Sequence, residues 1–133
     1  MSHFTKVATK INNLDALRKA LDGLHLQYAE GMGGETVSLR GYMHESVEAR
    51  MAINMGKYDI GIVKSEDGNY ELCADWWGIE TTTGKTEREV VDEISHAYSC
   101  ARVAMACEEA GYSLGQFEVS ETGEATVTAE CWS

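Results

Sequence analysis

The chain has 133 residues, 44% of them hydrophobic, and a formal net charge of −11. This length supplies one hydrophobic core of ordinary size, so we expect a single domain over residues 1–133. No apolar run approaches the ~20 residues that span a bilayer, and the first residues lack the apolar stretch of a signal peptide. The sequence therefore predicts no membrane association and a cytoplasmic location.

Negative charge is concentrated toward the end of the sequence. Residues 87–133 contain ten Asp and Glu against only Arg88 and Arg102. Since no basic stripe is present that would follow a nucleic-acid backbone, we expect no direct nucleic-acid binding. Three interpretations of the acidity stay open: attraction of a basic partner, mimicry of nucleic acid by carboxylates between Glu87 and Glu130, or a surface that only maintains solubility.

The first part of the chain predicts a strand, a helix and three further strands. Residues 2–11 favour a strand, and Asn13 is a typical N-cap residue for the helix that follows. Strands are expected over residues 26–29, 36–42 and 48–55, the last with a single apolar face. The expected helix carries leucines at helical spacing on one face, namely Leu14, Leu17, Leu21 and Leu24.

The strongest strand signal is a hairpin in the middle of the chain. Two β-prone runs, residues 58–64 and 70–77, flank a polar Asp-Gly turn. Trp76 and Trp77 end the second run, and neighbouring residues of a strand point to opposite faces. We therefore expect at most one of the two indoles to be fully buried.

A long helix and a second hairpin are predicted to end the chain. Thr86 and Glu89 form a T-x-x-E capping box, and a broad apolar stripe follows over residues 90–105. The hairpin is expected over residues 116–120 and 124–132. Because hairpins dominate the connections, the sequence predicts an α+β fold: a mainly antiparallel sheet with two α-helices packed on one face.

Several short strings resemble a known family. They are Ser2-His3-Phe4, Arg40-Gly41-Tyr42, Tyr58-Asp59-Ile60-Gly61, and Ala74-Asp75 followed by Trp77-Gly78. Together they resemble the uncharacterised plastid and cyanobacterial family called hypothetical chloroplast reading frame thirty-five. The resemblance implies a small α+β domain running the whole chain, and the plastid stroma as location if the protein is organellar. It implies no activity and no catalytic residues.

Motifs for catalysis or cofactor binding are not found in the sequence. The string Gly78–Thr86 is close to a P-loop, but five residues rather than four separate its glycines, so we reject nucleotide hydrolysis here. The start of the second helix, beside Lys85, could still hold a single phosphate, which Glu87 and Glu89 oppose. We expect a protein that is not an enzyme and has no cofactor.

Histidines and cysteines show no spacing typical of metal ligands. CxxC and HExxH motifs are both missing, so we expect buried thiols and no metal site. A chemical role for His3 or His96 stays open beside a structural one. The residues concerned are His3, His25, His44, His96, Cys73, Cys100, Cys107 and Cys131.

Aromatic and basic residues supply the best candidate for a binding surface. Aromatic rings and arginines suit both contacts with proteins and stacking of flat ligands. An alternative is that Arg40 forms a structural ion pair with Asp75. The candidate residues are Arg40, Tyr42, Lys64, Trp76, Trp77, Tyr98 and Arg102.

Three hypotheses about function follow from these observations. The first is a non-enzymatic binding module, an adaptor or regulatory protein whose aromatic and acidic faces bind a protein partner or a second copy. The second is a small-molecule binding protein, with an oligomer that sequesters a nucleotide-like ligand as one form of it. Its site would be lined by Arg40, Tyr42, Trp76 or Trp77, and the Gly31–Gly34 loop. The third is an enzyme whose groups assemble only in three dimensions, which no linear spacing supports.

Overall fold

Nine β-strands and three α-helices are present in the residues that the computed structural model describes, which are 4–39, 48–109, 112–119 and 125–131. The strands are β1 (Thr5–Ala8), β2 (Tyr28–Glu30), β3 (Val37–Ser38), β4 (Glu48–Ala49), β5 (Met51–Asn54), β6 (Asp59–Lys64), β7 (Tyr70–Ala74), β8 (Tyr112–Val119) and β9 (Ala125–Cys131). The helices are α1 (Leu14–Gly23), α2 (Trp76–Thr83) and α3 (Glu87–Glu109).

The predicted α+β class is confirmed, with a helix more than the two expected. The chain divides into two compact units. The first contains Met1–Asn12 and Leu26–Val91, and the second contains Asn13–His25 and Asp92–Ser133. The single domain over residues 1–133 stays a prediction.

A five-stranded antiparallel sheet, ordered β1-β7-β6-β5-β2, forms the centre of the first unit. The predicted hairpin supplies β6 and β7, which lie between other strands as their apolar character indicates. The register of this pair sets Gly61 opposite Cys73. At its turn the backbone N–H of Ser65 donates to the carbonyl oxygen of Asn69 at 2.8 Å.

Both faces of this sheet carry buried side chains. On one face the two-residue period of the strands aligns apolar residues that are almost fully buried: Met51, Ile53, Ile60, Ile62, Leu72 and Ala74. On the other face Leu39, Ala49 and Ala52 form a smaller cluster. Gly61 makes room for it, because a Cβ there would lie 2.5 Å from Cδ1 of Leu39.

The single apolar face predicted for residues 48–55 is therefore wrong at Ala52, which is only 7% exposed. The predicted strand is divided at Arg50 into β4 and β5. β4 pairs with β3 in a separate two-stranded sheet, with Ala49 opposite Val37. A second apolar layer thus covers a face for which the alternating pattern predicted exposure to water.

The prediction that the strand of the hairpin continues through Trp77 is also wrong. β7 ends at Ala74, and α2 begins at Trp76. Asp75 is the N-cap of this helix, since its side chain accepts the backbone N–H of Gly78 at 3.0 Å. An aspartate that satisfies a free N–H at a helix start overrides the strand propensity of the two tryptophans.

Helix α1 of the second unit begins as the sequence predicts. The side chain of Asn13 accepts the backbone N–H of Ala16 at 3.1 Å. Of the predicted leucine face, Leu17 and Leu21 are fully buried. A β8–β9 pair, antiparallel with Phe117 opposite Val127, confirms the expected closing hairpin.

Helix α3 has the predicted capping box, within the part of the helix that belongs to the first unit. The hydroxyl oxygen of Thr86 accepts the backbone N–H of Glu89 at 3.2 Å, and the carboxylate of Glu89 accepts the N–H of Thr86 at 3.4 Å. Most of the predicted apolar stripe is buried along the helix: Val90, Ile94, Ala97, Tyr98, Ala101 and Ala104.

Candidate functional site

Among the aromatic and basic residues predicted as one surface, Lys64 and the two tryptophans lie toward opposite ends of β7. Arg40 and Tyr42 lie outside the described residues. Lys64 ends β6 opposite Tyr70, whereas the tryptophans follow the other end of β7. At about 3.3 Å per residue, the four steps from Tyr70 to Ala74 separate these positions by roughly 13 Å.

Trp76 and Trp77 have opposite environments at the start of α2. Trp76 is 7% exposed, and its indole N–H donates to the carbonyl oxygen of Thr5 at 3.2 Å. Trp77 is 55% exposed. The expectation that at most one of the two indoles is buried is therefore correct. Its cause is different, because a helical step of about 100° per residue separates the two side chains rather than the alternation of a strand.

An exposed face of α2 is centred on Trp77. Glu80 and Thr81 follow it at i+3 and i+4, so they are its neighbours on the helix surface. All three residues are exposed. We call Trp77, Glu80 and Thr81 the Trp77 face.

Tyr98 and Arg102 lie on α3 in the second unit. Tyr98 is 7% exposed, and its hydroxyl oxygen accepts the backbone N–H of Asn13, the N-cap residue of α1, at 3.2 Å. This contact joins two helices of one unit, which is a structural role. Arg102 is exposed.

Two aspartates are the only buried charged residues in the part of the chain whose side chains are described. Asp59 is 6% exposed and Asp75 is 1% exposed. The Oδ1 atom of Asp75 accepts the N–H of Gly78, but its buried Oδ2 atom has no hydrogen-bond partner among the described residues. An unsatisfied buried oxygen costs free energy, so this atom requires an explanation.

Both aspartates lie beyond the end of the β6–β7 pairing. The last paired residues there are Gly61 and Cys73. Asp59 still belongs to β6, where it pairs with Asn54 of β5, whereas Asp75 is the N-cap of α2.

A groove of about 390 Å³ lies beside Asp59 on the same sheet. Its lining combines apolar side chains with amide, hydroxyl and carboxylate groups. The lining residues are Gln27, Tyr28, Ala29, Val37, Ser38, Ala52, Asn54 and Asp59. Of the predicted surface residues that the structure describes, none is among them, so the groove is a separate feature from the Trp77 face.

The sequence contains a signal for a helix N-cap at Asp75, although the β-prone residues around it predict a strand. An Asp immediately before an apolar run is a typical N-cap, and a cap at Asp75 ends the strand before Trp76. The burial of its second oxygen depends on packing against distant residues and leaves no sequence pattern. Its predicted ion pair with Arg40 stays a prediction, because Arg40 lies outside the described residues.

The prediction of buried thiols is confirmed for Cys73 and Cys100 and is wrong for Cys107, which is only half-buried. The side chain of Cys131 lies outside the described part of the chain. Burial raises the pKa of the Cys100 thiol. Within the described residues no three His, Cys, Asp or Glu side chains are grouped so that they could hold a metal ion. The string Gly78–Thr86 mostly belongs to α2, and Gly84 ends that helix in the left-handed conformation.

Two histidines had an open role. His3 lies outside the described residues, and His96 lies on α3 with a buried Nε2 atom that has no partner among the described residues. A chemical role for either histidine stays a hypothesis.

The fold and these contacts define a small α+β protein with an exposed aromatic helix face, and comparison places it in a family. The chain belongs to the protein family of unknown function DUF1257, whose model matches residues 20–128. It is similar to the uncharacterized protein ycf35 of Cyanophora paradoxa, with 36% identity over 76 residues. That match covers 56% of this chain and 56% of the relative, so little more than half of the relative's length is spanned.

These matches confirm the family that the short sequence strings indicate. No solved structure matches the chain. Among the helices of the described residues, none has the length and apolar composition needed to cross a bilayer.

Proposed function

We propose that this protein is a non-enzymatic binding module, an adaptor or regulatory protein that binds a protein partner through the Trp77 face. The observation that carries the proposal is the 55% exposure of Trp77 next to the buried Trp76. Tryptophan is enriched among the residues that dominate binding energy in protein interfaces, because its large ring buries much apolar area with few rotatable bonds.

Charge favours a basic partner. The chain has twice as many acidic as basic residues, and Glu80 shares the exposed helix face with Trp77. A carboxylate next to an indole suits a Lys or Arg side chain, which is attracted by the aromatic ring and by the negative charge together. The same face could also bind a second copy of the chain, although two acidic copies repel each other.

The location that accompanies this proposal is the cytoplasm, or the plastid stroma if the protein is organellar. Membership of a plastid and cyanobacterial family supports the second alternative. Either compartment is reducing, which suits the free buried thiols of Cys73 and Cys100.

The experiment is native mass spectrometry of the tagged protein purified gently from its own cells, comparing wild type with Trp77→Ala. The matched control is Val103→Ala, which removes another exposed hydrophobic side chain, one that is 52% exposed on α3. We expect the bound protein mass to be lost from Trp77→Ala and kept in Val103→Ala. Equal retention of the partner by both variants would contradict the proposal.

A second candidate function is supported by the groove beside Asp59. Its volume and mixed lining fit a small ligand with hydrogen-bond donors. In the same mass spectra this candidate predicts a bound non-peptide mass that Trp77→Ala leaves in place. Asn54→Leu, which replaces an amide of the groove lining with an apolar side chain, should remove that mass.

A further inference from the structure

We propose that the outer edge of strand β1 binds an extended acidic segment of a partner protein, which pairs with β1 as a further strand of the five-stranded sheet. The proposal goes beyond the proposed function, because it uses a different surface from the Trp77 face. It is carried by the backbone N–H and C=O groups of Lys6 and Ala8, which point away from the sheet. We call Lys6 and Ala8 the β1 edge.

The pairing of β7 shows which backbone groups of β1 point outward. In an antiparallel ladder, alternate residues of a strand exchange hydrogen bonds with the neighbour on one side, and the residues between them with the neighbour on the other. The N–H of Ser65 donates to the carbonyl oxygen of Asn69, so in the same register Cys73 bonds toward β6. Lys6 is the register partner of Cys73 on β1, so the backbone groups of Lys6 are directed outward. Those of Ala8, two residues further along the strand, are directed outward as well.

The β1 edge has no strand partner in the part of the chain that the structure describes. β1 is the first strand in the sheet order, so β7 is its neighbour on one side only. Within the described residues, the outward groups of Lys6 and Ala8 form no hydrogen bond, and both residues are exposed. Free N–H and C=O groups on an edge strand are a template for pairing with another chain.

Contacts at both ends hold β1 in its extended conformation. At its start the carbonyl oxygen of Thr5 accepts the indole N–H of Trp76 at 3.2 Å. Beyond its end the backbone N–H of Tyr70 donates to the carbonyl oxygen of Ile11 at 2.7 Å. An edge that is already ordered binds a further strand at a smaller cost in conformational entropy.

The charge of this segment favours an acidic partner. Residues 1–12 contain Lys6 and Lys10 but no Asp or Glu, in a chain whose net charge is −11. Both lysines are exposed, and neither forms an ion pair with another described residue. Opposite charges at facing positions of neighbouring strands stabilise the pairing, so an Asp or Glu is favoured opposite Lys6. The β1 strand of a second copy would bring the same lysines and is therefore disfavoured.

The alternation of β1 also predicts the pattern of the incoming strand. Val7 is half-buried and pairs with Leu72, which is fully buried, so this face of β1 continues an apolar layer of the sheet. The incoming residue beside Val7 should be apolar, whereas its two neighbours lie on the other face, opposite Lys6 and Ala8. A segment in which acidic and apolar residues alternate fits both faces.

The test is amide hydrogen exchange, measured by NMR on the full chain with and without a synthetic strand. The probe is acetyl-Thr-Val-Glu-Val-Glu-Val-Thr amide, which we call the Glu peptide. One control peptide has Lys in place of both Glu residues, and the other has N-methyl groups on the amides of both Glu residues. The second control keeps the charge but removes the N–H groups that would donate to the β1 edge.

Without peptide, the amides of Lys6 and Ala8 should exchange faster than those of Thr5 and Val7, which bond to β7. At ten times its Kd the Glu peptide should slow exchange at Lys6 and Ala8 about tenfold, because only about a tenth of the sites stay empty. Neither control peptide should slow it at that concentration. The Trp77→Ala variant should respond as wild type does, so failure of this proposal and failure of the proposed function are distinguishable.

Two substitutions test the pairing and the charge separately. Ala8→Pro removes an outward N–H but no hydrogen bond to β7, so the response at Lys6 should be lost, whereas Ala8→Val should keep it. Lys6→Glu should reverse the preference, so that the Lys peptide binds more tightly than the Glu peptide. This exchange of preference decides the matter even if Ala8→Pro does not fold.

A competing interpretation is that Lys6 only protects the edge from pairing, as edge lysines do in many sheets. In that case the Glu peptide does not slow exchange at Lys6 and Ala8, and the proposal is overturned. Equal slowing by the Glu peptide and either control would also overturn it. Slow exchange at both amides without peptide, lost on dilution, would assign the edge to a second copy instead of an acidic partner.

Discussion

The ring of Tyr58 packs directly against Gly78 of helix α2. A Cβ atom at position 78 would lie 2.5 Å from the ring's Cζ atom, closer than any real Cβ contact. Gly78 is buried in the first turn of α2, two residues after Trp76. Because Gly78 has no side chain, α2 can approach Tyr58, the residue that precedes β6.

We expect Gly78→Ala to destabilise the protein. Alanine in a helix interior normally adds about 0.5–1 kcal/mol relative to glycine, but the clash with Tyr58 should outweigh this and give a net loss of about 1–2 kcal/mol. Urea unfolding followed by far-UV circular dichroism measures the change. In a Tyr58→Ala background the same substitution should cost much less, and an equal cost in both backgrounds would show that the ring contact is not the cause.

The two neighbouring tryptophans should differ in their effects on stability. Trp76→Phe removes a buried indole and its hydrogen bond to the carbonyl of Thr5, so we expect a loss of about 1–2 kcal/mol. Trp77→Phe changes an exposed side chain and should stay within about 0.5 kcal/mol of wild type. Comparison of the urea midpoints of unfolding checks both predictions. A larger loss of stability from Trp77→Phe than from Trp76→Phe would contradict the assignment of Trp77 to the exposed face of α2.

Tyr98 should act on stability through its hydroxyl. Tyr98→Phe leaves the backbone N–H of Asn13 without that acceptor, which should cost about 1 kcal/mol and speed hydrogen exchange at the Asn13 amide. Ser99→Ala on the exposed side of the same helix is the control and should change neither quantity. Unchanged exchange at Asn13 in Tyr98→Phe would rule out the contact.

The turn of the central hairpin should weaken in acid. The hydroxyl of Ser65 and then the backbone N–H of Asn69 hold the pKa of Asp67 below its ordinary value of 3.8. Because the folded pKa is the lower one, the turn contributes stability above pH 3.8 that is lost as the pH falls through the folded value. Carbon NMR of the Asp67 carboxyl measures this pKa.

The control for that titration is Ser65→Ala, which removes the largest cause of the shift. Its Asp67 pKa should move back toward 3.8, and its stability difference from wild type should shrink at pH values below the folded pKa. An unchanged titration curve in Ser65→Ala would assign the shift to the backbone instead.

Local signals in the sequence predicted the elements that depend on neighbours along the chain. The cap of α1 at Asn13, the capping box of α3 at Thr86, and the central hairpin are all present as expected. Each depends on hydrogen bonds or apolar periods within a few residues, so a short window of sequence contains their whole cause. The helix at Trp76 was missed because two β-prone tryptophans concealed the aspartate cap before them.

The surface residues show where such reasoning stops. The sequence indicated that at most one of Trp76 and Trp77 would be buried, but not which one. It grouped Lys64 with the tryptophans, although the register of the hairpin sets them at opposite ends. Composition selects residue types that suit binding, whereas their grouping depends on strand pairing between distant segments.

By itself the sequence determined the α+β class, the antiparallel hairpins and the family. These depend on periodicity, turns and short motifs, which are formed by residues close together in the sequence. Only the tertiary structure decided that Asp75 is buried with an oxygen lacking a donor among the described residues, and that Trp77 rather than Trp76 is exposed. Burial is a property of packing between segments far apart in sequence, and no local pattern contains it.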